Sequence, residues 1–254
     1  MRLILLGCGT SSGVPRIGND WGQCDPAEPR NRRTRVSIIV ETETTRVLVD
    51  TGPDMREQLL AADIATVDAI IWTHDHADHC HGIDDVRQLF HASGRPIRGL
   101  ARQATLDTLH DRFRYAVEGR NGYPATIAAE VLADEVHVGD LQIEVVDQPH
   151  GSITSAGLRF THGQRSIVYA TDFNELTSSM RDLYSGADVL VIDALRRAPH
   201  PTHPTLDQAL RWSAELRAGR SILTHMDQSM DYRSLCATLP TGVEPGYDGM
   251  VVTL

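Results

Sequence analysis

Ala69-Ile70-Ile71-Trp72-Thr73-His74-Asp75-His76-Ala77-Asp78-His79 is an apolar run that breaks into three imidazoles and two carboxylates. Four consecutive apolar residues followed by polar ones read as a buried strand, and the polar groups then crowd the mouth of that strand. A turn of this composition brings imidazole nitrogens and carboxylate oxygens close together. Without a partner such a cluster suffers like-charge repulsion and desolvation, whereas a divalent cation satisfies it. Any one of these histidines alone reads equally well as a solvated loop residue. The complete His-x-His-x-Asp-His pattern, set directly after a strand, reads as a metal-binding turn.

Three further potential ligands lie at the ends of other apolar runs: His150 after Ile143-Glu144-Val145-Val146, Asp172 after Ile167-Val168-Tyr169-Ala170, and His225 after Ile222-Leu223. Taken singly, each is an ordinary polar loop residue, and Asp172 also suits a turn or a helix cap. Their recurrence at strand ends predicts convergence, because sites in layered α/β proteins are assembled from the loops that leave the strands.

Apolar, β-branched runs predict strands over 3–6, 36–40, 47–49, 69–73, 141–146, 167–169, 189–192, 222–224 and 250–253. Apolar positions three and four apart predict helices over 55–62, 84–91, 102–117 and 206–216. The mixture is α/β or α+β. With 254 residues, 41% of them hydrophobic, and no repeat or Pro/Gly/Ser-rich linker, the chain is expected to form one domain spanning 1–254. The polar stretch 17–35 reads as an extended surface loop, and loops of that length are more often functional than idle.

No apolar stretch is long enough to cross a bilayer, and Met1 leads straight into the first strand, which predicts a soluble cytoplasmic protein with no membrane partner. The scattered cysteines Cys8, Cys24, Cys80 and Cys236 read as thiols in a reducing compartment. A net charge of −10 argues against a broad nucleic-acid groove. It leaves a small anionic substrate open, since bound divalent ions reverse the local potential. A homodimer is compatible with everything above.

The series His74-x-His76-x-Asp78-His79, His150, Asp172 and His225 resembles, in order and context, the ligands of the dinuclear metallo-β-lactamase-fold hydrolases. Gly7-Cys8-Gly9-Thr10-Ser11-Ser12-Gly13-Val14-Pro15, Val49-Asp50-Thr51-Gly52-Pro53-Asp54, Gly82-Ile83-Asp84-Asp85-Val86-Arg87 and Gly246-Tyr247-Asp248-Gly249-Met250 resemble one branch, that of the phosphoribosyl 1,2-cyclic phosphate phosphodiesterases. The resemblance implies a four-layer αββα sandwich and two divalent ions, zinc or manganese. It assigns one ion to His74, His76 and His150 and the other to Asp78, His79 and His225, with Asp172 bridging. Imidazole ligands suit zinc, and a carboxylate-rich position also tolerates manganese. Two ions about 3.5–4 Å apart suit phosphoester hydrolysis by a hydroxide bridging them. Asp78 and Asp172 would anchor that hydroxide.

Departures from the family narrow this expectation. True β-lactamases of the fold commonly carry Arg where His79 stands and Cys where Asp172 stands, so lactam hydrolysis is not expected. Relatives of the cyclic-phosphate branch can hold a separate structural zinc on clustered first-loop cysteines and a second histidine after the last ligand. Here Cys24 stands alone and Met226-Asp227-Gln228 follow His225, so that zinc is expected to be absent.

His203 precedes the capping-box pattern Thr205-x-x-Gln208 and so sits just before a helix N-terminus, a position that favours anions. A histidine there can bind a phosphoryl oxygen or protonate a leaving alkoxide, and the resemblance places a substrate-contacting histidine at the same position. Arg33, with Arg32 and Arg35, is read as a clamp on a further phosphate. Gly9 to Gly13 lacks the Gly-Lys-Ser/Thr ending of a P-loop and is read as a tight turn beneath the site. His81, His91, His110, His137 and His162 carry no motif.

The expected activity is hydrolysis of a small phosphorylated ribose or nucleotide, a phosphoribosyl 1,2-cyclic phosphate or a close relative. The alternatives are a transfer-RNA 3′-processing nuclease, for which no basic or Gly-rich RNA-gripping arm is visible, a glyoxalase-type thioesterase, and a non-catalytic metal or nucleotide sensor.

Overall fold

The alternation along the first four strands explains the architecture. In Leu3-Ile4-Leu5-Leu6, Leu3 and Leu5 point into the central core while Ile4 and Leu6 point outward to a second apolar cluster, and Ile38, Ile39 and Val40 repeat the pattern. Val47 and Val49 against Leu48, and Ala69 and Ile71 against Ile70 and Trp72, do the same. Side chains on a strand alternate faces, so an unbroken apolar run is what a sheet covered on both sides requires.

A computed structural model describes residues 1–254. The strands are β1 (Arg2–Gly7), β2 (Ser37–Glu41), β3 (Arg46–Val49), β4 (Ala69–Ile71), β5 (Ile97–Ala101), β6 (Ile127–Val131), β7 (Glu135–Val138), β8 (Leu141–His150), β9 (Ile153–His162), β10 (Arg165–Ala170), β11 (Val189–Asp193), β12 (Arg220–Thr224), β13 (Val243–Pro245) and β14 (Met250–Thr253). They form two seven-stranded sheets, ordered β14-β1-β2-β3-β4-β5-β6 and β13-β12-β11-β10-β9-β8-β7. The helices are α1 (Met55–Ala61), α2 (Ala77–Cys80), α3 (Val86–Ser93), α4 (Gln103–Glu118), α5 (Ser178–Tyr184), α6 (Leu206–Leu216) and α7 (Tyr232–Thr238).

Helices α1, α3 and α4 cover the outer face of the first sheet through Met55, Leu59, Val86, Leu89, Leu109 and Ala116. Met180, Tyr184, Leu206, Ala209 and Leu216 bring α5 and α6 onto the second. The fold is the four-layer αββα sandwich. Each fully buried aliphatic side chain in it contributes roughly 1.5–3 kcal/mol. No helix is long and apolar enough to cross a membrane.

Every strand expected from the sequence is present, and the helix over 206–216 has the expected ends and the expected capping box, with the Thr205 hydroxyl accepting the Gln208 N–H. The loop over 17–35 departs from expectation. A 3-10 turn at Pro29–Asn31 folds it onto residues 227–232, where Asn31 donates to Asp231 Oδ2 at 2.7 Å and accepts from the Tyr232 N–H at 2.7 Å. Asp248 ties the same loop to the chain end: its carboxylate accepts the N–H of Thr34 (2.6 Å), the N–H of Cys8 (3.0 Å) and the Thr34 hydroxyl (2.6 Å). The Gly7–Pro15 and Gly246–Met250 motifs therefore meet structurally. At Gly7 a Cβ would lie 2.2 Å from the Arg35 carbonyl, so only glycine lets the two segments cross.

Candidate metal centre

The site lies at one end of both sheets. His74 follows β4, His79 lies in α2, His150 ends β8, Asp172 follows β10, and His225 follows β12. Asp172 (φ 57°) and His225 (φ 58°) turn the chain in the left-handed region immediately beyond their strands. That conformation costs a non-glycine residue roughly 1–2 kcal/mol and is characteristic of functional sites.

Three overlapping groups of potential ligand atoms form, His74, His76, His150 and Asp172 in the first, Asp78, His79 and His225 in the second, and Asp172, His203 and His225 in a third that shares its members with both sides, the atoms of each lying within 4.8 Å of one another; the first two are the groups expected from the sequence. Asp172 joins them. Its Oδ1 stands 3.7 Å from His150 Nε2, 3.9 Å from His74 Nε2 and 3.5 Å from His225 Nε2, while its Oδ2 is 3.3 Å from His79 Nε2. Asp78 Oδ2 lies 3.5 Å from His79 Nε2 and 3.8 Å from His225 Nε2. These separations are too long for good hydrogen bonds. Donors about 2.0–2.2 Å from one centre stand roughly 3.3–3.6 Å apart in a tetrahedron, so the 3.3 and 3.5 Å separations match ligands of a shared ion and those of 3.7 to 3.9 Å are slightly wider.

The Nε2 atoms of His74, His79 and His225 are buried without any hydrogen-bond partner. Buried polar atoms are seldom left orphaned, so the donor set fits a divalent cation. The opposite ring nitrogens of His74, His79 and His150 are held by the protein, whereas His225 Nδ1 has no partner. Asp50 Oδ2 binds His79 Nδ1 at 2.7 Å, the Thr73 hydroxyl lies 3.0 Å from His74 Nδ1, and His150 Nδ1 donates to the Thr202 carbonyl at 3.0 Å. Such contacts fix the tautomer that leaves Nε2 free to bind a metal.

Charge follows the geometry. Burial pushes the His74 and His150 imidazoles below the usual range, keeping them neutral as ligands must be. Burial works against ionisation of Asp172, but His225, His79 and His74 outweigh it and hold the carboxyl well below the usual range. Asp78 is likewise held down against burial, mainly by His79 and His225. For His225, burial disfavours the cation, yet Asp172, Asp193 and Asp78 carry it up to about 9. A bound cation would displace such protons.

His203 faces this cluster. Its ring stacks on His225 with centroids 4.6 Å apart, its Nε2 lies 3.9 Å from Asp172 Oδ1, and its Nδ1 lies 2.8 Å from Asp193 Oδ2. Asp193 and Asp50, both fully buried, were not distinguishable in the sequence. Each closes a strand of β-branched residues with a single acid, and only its contact with a site histidine reveals it. His200 stands beside His203, with ring centroids 5.0 Å apart. His81 packs edge-on against Phe113 outside the cluster.

Arg33, expected to clamp a phosphate, is enclosed by the protein's own groups. It is 1% exposed, and its guanidinium donates to the carbonyls of Met230 (2.6 Å) and Asp227 (3.3 Å). An Asn31 oxygen and the Cys24 sulfur complete its surroundings at 3.5 and 3.9 Å. The charge that looked available for phosphate is used inside the protein to pin the first loop against the segment after His225. Arg35 pairs with Asp54 at 3.0 Å, and Arg32 lies over the Trp21 ring. Gly13 closes a turn on the Thr10 carbonyl at 2.8 Å, and the Thr10 N–H donates to the Met226 carbonyl, so the glycine-rich segment is a turn beside the site.

Residues 45–226 match the beta-lactamase superfamily domain. A crystal structure of a diphosphatase from the PhnP family shares 34% identity with the chain, covers 100% of it and 97% of that protein, and superposes with a TM-score of 0.91. An octanoyltransferase of Porphyromonas gingivalis is 33% identical over 98% of the chain, which spans about half (51%) of that relative's length. A ribonuclease Z of Methanopyrus kandleri is 28% identical over 49% of the chain and 43% of its own length. The chain belongs to the beta-lactamase superfamily as a metallo-β-lactamase-fold hydrolase, and within it to the PhnP family.

Proposed function

We propose that the protein is a dinuclear, metal-dependent phosphodiesterase acting on a small cyclic phosphodiester, a phosphoribosyl 1,2-cyclic phosphate or a related ribose or nucleotide cyclic phosphate. The observation that carries this reading is the Asp172 carboxylate, whose Oδ1 stands among His150, His74 and His225 of both groups while its Oδ2 faces His79, with His203 beside it. Two divalent ions held by His74, His76, His150, Asp172, Asp78, His79 and His225, zinc by the preference of imidazole, would supply charge neutralisation on phosphoryl oxygens and acidify a water for action at neutral pH.

The chain's own residues do the rest. Asp78 and Asp172 hold anionic oxygens against the imidazoles and anchor the reacting water. His203 presents Nε2 toward the centre while Asp193 holds Nδ1, so a proton on Nε2 is aimed at the leaving oxygen. A general acid of this kind is needed when an alkoxide departs.

A second reading, hydrolysis of a diphosphate ester, is favoured by the relative described as a diphosphatase, at 34% identity over the whole chain. A net charge of −10 weighs against a polyanionic RNA substrate. The test is phosphorus NMR of zinc- and manganese-loaded protein with phosphoribosyl 1,2-cyclic phosphate, 2′,3′- and 3′,5′-cyclic nucleotides, a nucleoside diphosphate and an aryl phosphodiester. Selective opening of a cyclic phosphate supports the first reading, and selective cleavage of the diphosphate replaces it with the second. Silence on all of them, with thioester hydrolysis instead, would remove both.

A further inference from the structure

Outside the metal centre the segment Gly82–Arg87 has no role in the chemistry above, yet it lines a cleft of about 480 Å³ between α3 and the C-terminal half of α4. That size is within the range of roughly 300–1,000 Å³ typical of small-molecule sites. None of the ligand-bearing residues, and not His203, lines it.

The far wall of the cleft is a tight turn. Arg120 and Tyr123 exchange backbone hydrogen bonds of 3.0 and 2.9 Å across Asn121 (φ 52°) and Gly122 (φ 85°), the positive-φ pair of a two-residue hairpin turn. At Gly119 a Cβ would meet the Tyr123 carbonyl at 2.5 Å, so the turn packs closely against the end of α4. It presents Arg120 and Tyr123 to the cleft, opposite Arg87 and Phe90 of α3.

Two chemistries meet there. The rings of Phe90, Tyr115 and Tyr123 supply aromatic faces, with Tyr123 72% and Tyr115 39% exposed. The guanidinium groups of Arg87 and Arg120 enter no ion pair, and the nearby Asp84 carboxylate is taken by the Tyr115 hydroxyl. With Asp84 also in the lining, the two guanidinium groups leave the cleft an excess of positive charge on a chain of net charge −10, which is complementary to an anion, and a guanidinium fork fits phosphate. Aromatic faces beside them fit a planar base.

We propose that this cleft is a second binding site, for a nucleoside monophosphate, whose phosphate pairs with Arg87 and Arg120 and whose base stacks on the tyrosine faces. The test is titration calorimetry of the full chain with adenosine monophosphate, adenosine and inorganic phosphate. It is run on the wild type, Arg87→Ala, Arg120→Ala and the metal-centre variant Asp172→Ala.

The expected result is binding of the monophosphate that survives Asp172→Ala and weakens roughly tenfold in each arginine variant, as loss of a charged hydrogen bond entails, with adenosine and phosphate each weaker than the whole nucleotide. Both arginine changes are on the surface and leave metal content and basal turnover unchanged. No binding by the wild type would overturn the proposal, as would binding lost in Asp172→Ala and unchanged in the arginine variants. So would a concentration-dependent dimer, abolished by Tyr123→Ser, that leaves no nucleotide bound, since the cleft would then be the seat of a second copy.

Discussion

His203 Nδ1 lies 2.8 Å from Asp193 Oδ2, and that same oxygen accepts the backbone N–H of Asp172 at 3.0 Å. One buried carboxylate thus fixes both the ring of the proposed acid and the turn that carries Asp172, the proposed bridging ligand. If His203 protonates the leaving oxygen, His203→Ala lowers kcat by about 10²–10⁴-fold on a substrate with an alkoxide leaving group. The loss is much smaller on a p-nitrophenyl diester, whose phenolate needs no proton. Equal losses on both would assign His203 to binding or structure instead. Asp193→Asn, which leaves the ring in place but alters its hydrogen bond, should share the same leaving-group dependence.

Asp50 acts one shell further out. Its contact with His79 Nδ1 at 2.7 Å, and with the Thr73 N–H at 2.8 Å, holds the metal-binding turn against β3. Replacing such a partner typically costs 10–100-fold in metal affinity. Asp50→Ala is expected to show that loss in competition with a chromophoric chelator. Unaltered zinc affinity would mean that His79 is oriented by something else.

Arg33 separates a structural from a substrate-binding role. Its buried guanidinium serves two carbonyls and an amide oxygen, so Arg33→Met should lower the unfolding free energy by about 3 kcal/mol in urea titrations. KM should stay within about twofold, because a change confined to folding leaves substrate binding alone. A large KM increase with wild-type stability would restore the phosphate-clamp reading.

The strands were readable because both faces of the first sheet are covered: Leu3-Ile4-Leu5-Leu6 or Ala69-Ile70-Ile71-Trp72 leaves nothing polar to confuse the period. Strand β6, with four of its five residues exposed, carries no such signal. The converging histidines were readable because a histidine or aspartate repeatedly follows an apolar run. Asp50 and Asp193 were not, since a lone acid closing a strand looks like a turn former until its partner across the fold is known. Arg33 misled for a related reason: a loop rich in arginine and proline reads as solvated, and nothing local records that Met230 and Asp227 close over it. Helix α4 reads as one continuous period, although Phe113 (φ −125°, ψ 34°) breaks its backbone, because a kink leaves the apolar spacing intact.

Asp248 makes stability depend on pH in an unusual direction for an acid. Burial pushes its carboxyl up to about 6 despite the hydrogen bonds from Thr34 and Cys8 that favour the anion. A group whose folded pKa is raised stabilises the fold fully below its unfolded value of about 3.8, and that contribution is lost as pH rises through about 6. Two units correspond to about 3 kcal/mol. The stability of the wild type relative to Asp248→Asn should therefore fall by up to that amount between pH 4 and pH 7, as read by chemical denaturation at each pH. A difference that stays flat or rises over this window would show that the hydrogen bonds, not burial, set its ionisation.

In the proposed centre Asp172 joins two groups of imidazole and carboxylate ligands into one dinuclear site. Its most direct test is metal stoichiometry by mass spectrometry on protein purified after growth with zinc or manganese, for the wild type and Asp172→Ala. Two divalent ions per wild-type chain, dropping to one or fewer in Asp172→Ala together with loss of phosphoester turnover, is the predicted result. A variant that keeps two ions and full activity would contradict the bridging role and the mechanism that depends on it.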